Sequence, residues 1–320
     1  DEQIRTRKIF EDLKGKAILG DYLTEYEKEF FYMGVKHSLF DDGKVEDYEC
    51  CDNPKFKLLY LVYARDINGF KKIRVTKPKG NFEYPVKKRE KEQDLYYLNT
   101  KANEWRNVIS TNKQLDEFLY QAAIEEAKYE IKKLKKTPKY RNNIQGIYTA
   151  NFIAKEKAII LHSKWLYCIG LEIFESLNPT DFISEINGIT IEFNKFSLIH
   201  ILNRHFAKVL KQFDTKKSFH KEDFKPRILS SQIKAILTLI DNSKFLVNKE
   251  IDLIAFKFKE KDYIIYIGKV EVRDNKVYRK LETFFPVDNF KKKNELVEEF
   301  NLEKINEELV KYAKKSGKPT

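Results

Sequence analysis

Two of the chain's five histidines fall in one short run, Ser197-Leu-Ile-His200-Ile-Leu-Asn-Arg204-His205-Phe206. Histidine is the one side chain whose ordinary pKa lets it both give and take a proton near neutrality. Cleaving RNA without a metal needs that capacity twice. A base removes the 2′-hydroxyl proton, and an acid protonates the leaving 5′-oxygen. A cation such as Arg204 offsets the charge that builds on the phosphate oxygens. Leu198, Leu202, Phe206, Val209 and Leu210 recur at helical spacing through the same stretch, so the rings belong to a helix. On a regular helix His200 and Arg204 stack one turn apart, while His205 lies about 140° round from His200. Two rings so placed meet a substrate from flanking directions. Histidines on helices with this much apolar surface are more often packing or surface residues, so spacing alone does not establish chemistry.

The elements that must hold this run are legible around it. Ile183–Phe193 reads as a hairpin about Asn187-Gly188, with Ile189, Ile191 and Phe193 alternating. The His-bearing helix is expected from about Ser197, its N-cap, to Phe213. A polar joint follows, in which His220 is expected to be exposed. An amphipathic helix, Ile228–Ile240, leads into four strand candidates: Lys244–Val247, Ile251–Lys259, Tyr263–Val272 and Lys276–Pro286. Asp274-Asn275 is a two-residue hairpin signal between the last two. Glu295–Ala313 reads as a C-terminal amphipathic helix. The expectation is an α+β fold, in which helical segments precede a four-stranded antiparallel meander in a C-terminal domain at 146–320.

The N-terminal domain, 1–145, reads as mixed α+β. Helices are expected at Ile4–Leu19 and Tyr22–Val35. Strands are expected at Lys57–Asp66 and Phe70–Thr76, hinged at Ile67-Asn68-Gly69, before an irregular basic connection through Pro78, Gly80 and Pro85. Gln114–Lys136 is a strongly patterned helix. Its apolar stripe is Leu115, Phe118, Leu119, Ala122, Ala123, Ala127, Ile131 and Leu134, and Thr137-Pro138 stops it.

The stretch Ile189–Asn289 resembles the barnase/EndoU/colicin/RelE-like (BECR) nuclease superfamily, in particular its phage-associated branch. It covers about a third of the chain. The matching features are an extended segment, a helix bearing His200-x-x-x-Arg204-His205, a second helix, and a meander ending in Thr283-Phe-Phe-Pro286. The resemblance implies a metal-independent endoribonuclease leaving 2′,3′-cyclic phosphate ends, acting as a toxin, a defence effector or a phage-delivered protein. It implies His200 and His205 as acid and base, Arg204 as phosphate binder and Thr283 as a substrate-positioning hydroxyl. RNA is then the partner, with an inhibitor or a virion or complex partner in view. The family's strand-borne lysine has two candidates here, Lys269 and Lys280. Thr283 shares strand parity with Val277, Leu281 and Phe285, which predicts burial.

Two other readings stand beside this one. Asp252, followed by Asp262 through Lys269, resembles the metal-dependent PD-(D/E)xK nucleases. In the register that places Lys269, however, Ile267 holds the glutamate position and offers a hard cation no oxygen. A degenerate relative of that fold remains open. So does a non-catalytic nucleic-acid-binding or virion- or complex-assembly protein.

Charge supports a polyanionic partner in every case. The net charge of +12 resides in two windows, Gly69–Glu92 and Lys128–Arg141, each with an excess of six cations. Phosphate contact is therefore expected at Lys71, Lys72, Arg74, Lys132, Lys133 and Lys136, with Lys269 and Lys280 near the site. Tyr60, Tyr63, Tyr96, Tyr97 and Trp105 lie near basic residues and either stack bases or fill a core. Three cysteines without a CxxC or Cys/His cluster predict reduced thiols and no zinc. No Gly-rich phosphate loop of the P-loop or dinucleotide type is present, so no cofactor is expected. No apolar run reaches the roughly 18 residues of a membrane span, and no signal peptide is visible. A cytoplasmic location is the expectation.

Overall fold

Asn187 and Gly188 adopt positive φ, 51° and 71°, the left-handed backbone that closes a two-residue hairpin. That turn joins β3 (Ile183–Ile186) to β4 (Ile189–Glu192), as the Asn-Gly signal predicts. The computed structural model describes residues 2–18, 27, 72–77, 80–85, 100, 102–103, 105, 116–138, 150–206, 218–220, 223–243, 252–273 and 276–315. The chain divides into two compact units, Asp1–Leu171 with Ala207–Asp214, and Glu172–Phe206 with Thr215–Thr320.

In the first unit, helix α1 (Glu2–Ile18) stands where the N-terminal periodicity puts it. Strand β1 (Lys72–Lys77) pairs antiparallel with β2 (Gly80–Pro85). The expected irregular connection through Gly80 and Pro85 is therefore a strand, because only Pro78 and Lys79 separate two runs that can both extend. Tyr22–Val35 apart from Glu27, Lys57–Asp66 and Lys71 lie outside the described residues. Helix α2 (Glu117–Lys135) is capped by Asp116, whose carboxylate accepts from Leu119 N at 3.0 Å. It buries Leu119, Ala122, Ala123, Ala127 and Leu134, but Phe118 is exposed. Helix α3 (Ala150–Ser176) ends at Asn178-Pro179. Trp105 is buried, donates from Nε1 to Ser163 Oγ at 3.1 Å and packs against Tyr120 and Tyr167. It is a core residue, unavailable to stack a base.

The second unit is a seven-stranded mixed sheet in the order β3-β4-β7-β6-β5-β9-β8. Three strands form the expected antiparallel meander: β5 (Leu253–Phe258), β6 (Lys261–Arg273) and β7 (Lys276–Pro286). The sheet is larger than the predicted four-stranded meander on both sides. β4 joins β7 in parallel, with Thr190 to Glu192 opposite Tyr278 to Lys280. On the far side, the expected C-terminal helix is a short helix α6 followed by a hairpin. Helix α6 covers Phe290–Glu299, and β8 (Phe300–Lys304) and β9 (Leu309–Lys314) follow it. The helical period fails after Glu299, where Leu309 and Lys311 are buried on an alternating strand that pairs with β5. The candidate strand Lys244–Val247 lies outside the described residues.

Each face of this sheet is covered. On one, Phe224 and His220 pack against Phe256, Tyr263 and Phe284, beside α4 (Lys195–Ile201) and α5 (Leu229–Asn242). On the other, Leu296 of α6 joins Ala255, Ile264, Val287 and Tyr312, with Tyr266 and Phe285 at the margin. Between β6 and β7 the register slips twice, once around Glu282 on β7 and once around Gly268 and Lys269 on β6. A Cβ on Gly268 would sit 2.5 Å from Glu282 Oε1, so the two bulges pack directly on each other.

The β5–β6 turn is less well matched to its sequence. Lys259 and Glu260 take φ of 46° and 64° although both carry a Cβ. That conformation costs about 1–2 kcal/mol per non-glycine residue, against about 0.5–1 kcal/mol for the extra chain freedom of glycine. The Glu260 side chain is 91% exposed and lies 3.9 Å from Lys257, a contact of little value. Glu260→Gly is therefore expected to stabilise the unit by roughly 0.5–1 kcal/mol, read as a higher urea midpoint at unchanged m.

Candidate functional site

The helix that carries the two histidines starts one turn earlier than its sequence suggests. Asn194 is the N-cap, and its side-chain oxygen accepts from both Ser197 N and Ser197 Oγ at 3.0 Å. Ser197 is thus the residue capped rather than the cap. Helix α4 runs to Ile201 and then widens into a π turn, Leu202–Phe206, that contains both Arg204 and His205. The i→i+5 pattern of a π turn brings positions five apart towards one face, and such turns recur at functional sites. His200 and His205 are five apart. His200 and Arg204 are both half-buried.

His205 is held at three points. Its carbonyl accepts from His220 N at 2.9 Å, its Nδ1 lies 3.0 Å from Ser218 O, and its Nε2 lies 3.2 Å from Thr283 Oγ1. A carbonyl oxygen can only accept, so Nδ1 carries the proton in the neutral ring. Nε2 is then a lone pair facing the Thr283 hydroxyl, which donates to it. A base oriented by a second group and set against a hydroxyl is the arrangement that proton-transfer chemistry uses. The ring also stacks on Phe285, centroids 5.1 Å apart and 20° between planes.

Thr283 reaches this position because of the bulge at Glu282. Leu281 pairs with Ile267 and is fully buried, whereas Thr283 pairs with Tyr266. Ile267 and Tyr266 point to opposite faces, so Leu281 and Thr283 do as well. The parity that predicts burial of Thr283 is broken by one inserted residue, leaving the hydroxyl half-buried beside His205.

His220 corrects a different expectation. Its polar neighbours suggest exposure, yet it is 1% exposed. Phe206, Phe224, Tyr263 and Phe284 surround the ring. β4 pairs with β7 only as far as Lys280, and beyond it His220 Nε2 donates to Phe284 O at 3.0 Å. Because Nε2 donates, Nδ1 is a buried acceptor, and it has no partner. Burial above all, against the opposing effect of the Phe284 hydrogen bond and with a smaller push from the nearby His205, brings the pKa of His220 down to about 3.

The remaining candidates scatter. Lys280 is half-buried, its Nζ 3.8 Å from Glu282 and 5.7 Å from the centre of the Phe196 ring. Lys269 is exposed at the β6 bulge. Lys72 and Arg74 lie in β1, opposite Pro85 and Glu83. Lys132 and Lys136 line an open concavity of about 580 Å³ with Lys128, Ile131 and Lys135, and Lys133 lies in the same last turn of α2. Asp252 is bound by the buried guanidinium of Arg279 at 2.5 Å, and that group also donates to Gly268 O and Ile267 O. Ile267 is 5% exposed. Among the described residues no three His, Cys, Asp or Glu side chains come together as a metal site. No helix among them is long and apolar enough to cross a membrane. Sequence reasoning missed Ser218 as the acceptor for His205, which no local motif marks, and Phe285 as its stacking neighbour, although Phe285 lies within the Thr283–Pro286 motif.

His220 gives the site a defined acid response. Its pKa is 6.5 in the unfolded chain and about 3 in the folded one, so both states are neutral above about pH 6.5 and stability is complete there. As pH falls below 6.5 the unfolded chain takes up a proton that the native core refuses. Stability then drops by about 1.4 kcal/mol per pH unit. Gln at this position keeps a donor for the Phe284 carbonyl, so His220→Gln is expected to remove that slope in urea unfolding at pH 7, 6 and 5.

No family model, curated protein or solved structure matches the chain.

Proposed function

We propose that the second unit is a metal-independent endoribonuclease in which His205 is the general base. The observation that carries this reading is the His205 ring itself, with Nδ1–H on the Ser218 carbonyl and Nε2 facing the Thr283 hydroxyl. In the reaction, a substrate 2′-hydroxyl gives its proton to Nε2. The freed oxygen attacks the adjacent phosphorus and the bond to the 5′-oxygen breaks. A second acid protonates that oxygen, leaving a 2′,3′-cyclic phosphate and a 5′-hydroxyl. His200, in the last turn of α4, is the proposed acid, and Arg204, in the π turn, the proposed phosphate binder. Thr283 holds the substrate oxygen in line. The BECR resemblance points the same way and suggests a toxin, defence effector or phage-delivered protein.

A nucleic-acid-binding protein without chemistry is the second reading, favoured by the lysine-lined concavity on α2. Incubating the full chain with total RNA in EDTA separates the two. The nuclease reading expects cleavage products bearing cyclic phosphates. His205→Ala is expected to lose about 10²–10⁴ of the rate, the usual worth of a proton-transfer group. Thr283→Val removes one hydrogen bond, about 1.4 kcal/mol, and is expected to slow cleavage roughly tenfold. RNA bound but uncut would leave the binding reading. Cleavage that EDTA abolishes would sink the metal-free mechanism.

A further inference from the structure

Three lysines open α6, and their surroundings differ. Lys291 Nζ lies 4.0 Å from Glu295, and Lys293 Nζ lies 4.0 Å from Asp262. Lys292, half-buried between them, instead places Nζ 4.7 Å from the centre of the Phe285 ring and 5.6 Å from that of Tyr266. Among the described residues no carboxylate is within ion-pair distance of it. Nothing in helix stability calls for a cation there, because the first turn of a helix favours negative charge.

The two rings beneath Lys292 are the same two that flank the His205–Thr283 pair. His205 stacks on Phe285, and Thr283 faces Tyr266 across the strands. The ammonium and the imidazole thus share Phe285 as a neighbour, at 4.7 and 5.1 Å from its centre. They cannot be farther apart than the sum of those distances, a gap that one phosphodiester and a change of lysine rotamer can close. A cation resting on an aromatic face holds its charge more weakly than one bonded to a phosphate oxygen. The ring contact is therefore a parking position that costs little to leave.

We infer that Lys292, together with the Thr283 hydroxyl, forms the anion subsite that receives the scissile phosphate of an RNA beside the His205 ring. The inference rests on the reading of His205 and Thr283 as the reactive pair of a nuclease. It gives that pair a helix-borne cation from an element that the sequence motif does not include. Lys291 and Lys293 each lie 4.0 Å from a carboxylate, whereas Lys292 rests on the two rings, so only the middle lysine of the three is assigned.

The test uses the full chain with inorganic phosphate and adenosine 3′-monophosphate as probes, followed through the Cε1–H proton resonance of His205. The wild-type chain is expected to show a saturable shift with both. Lys292→Gln is expected to weaken binding about tenfold or more, as loss of one phosphate-neutralising cation should. Lys291→Gln is expected to stay within about twofold, since the lysine side chain is 87% exposed and lies beside Glu295. Unchanged thermal midpoints show that the variants remain folded. No saturable shift in the wild-type chain, or equal binding by the two variants, would overturn the inference. RNA cleavage in EDTA, run in parallel, separates it from the nuclease reading. A Lys292-dependent phosphate shift with uncut RNA upholds the subsite and rejects the nuclease. RNA cut equally fast by wild type and Lys292→Gln upholds the nuclease and rejects the subsite.

Discussion

The open edge of β7 is the constraint around which the second unit is organised. β4 pairs with β7 only through Lys280, so the stretch that follows has β6 on one side and, among the described residues, no strand on the other. A buried backbone carbonyl left without a donor costs about 1–3 kcal/mol. His220 supplies the donor, and its backbone N–H in turn fixes the carbonyl of His205. One histidine thus closes the sheet edge and anchors the segment that bears the other. The two rings lie 6.3 Å apart and do opposite things: one is sealed among aromatics, the other presents a lone pair to a hydroxyl.

That division follows from solvation. His220 is enclosed by rings on one face of the sheet, where a charge has no stabilising partner, so it stays neutral well below the usual range. His205 is half-buried and reaches across the edge to Thr283 and Phe285, residues of the other face. The π turn lengthens the helix path locally and carries the ring to the edge. Preorganisation here comes from two backbone acceptors, Ser218 O for His205 and the sheet carbonyl of Phe284 for His220.

Local patterning carried much of the architecture. The Asn187-Gly188 hairpin, the α2 stripe and the three central strands follow from turn chemistry and periodicity, which act over a few residues. The histidine pair was visible for the same reason. What failed was non-local. His220 reads as exposed because its sequence neighbours are polar, while its burial depends on Phe284 and Tyr263, which arrive from far along the chain. The C-terminal hairpin reads as a helix because Leu302 and Val310 fit both periods, and only pairing with β5 decides between them. Thr283 was misjudged by a single residue of register, since a bulge has no reliable sequence mark. The parallel partnership of β4 with β7 is a topological fact that adjacency in sequence cannot reveal.

The paired bulges at Glu282 and at Gly268–Lys269 have an evolutionary corollary. Because side chains alternate along a strand, removing the one surplus residue at Glu282 would make Leu281 and Thr283 neighbours in a regular ladder, still opposite Ile267 and Tyr266 and still on the surfaces they occupy now. A lineage could thereby lose or gain the irregularity through a single codon while Thr283 and Phe285 kept the surface they share with Tyr266.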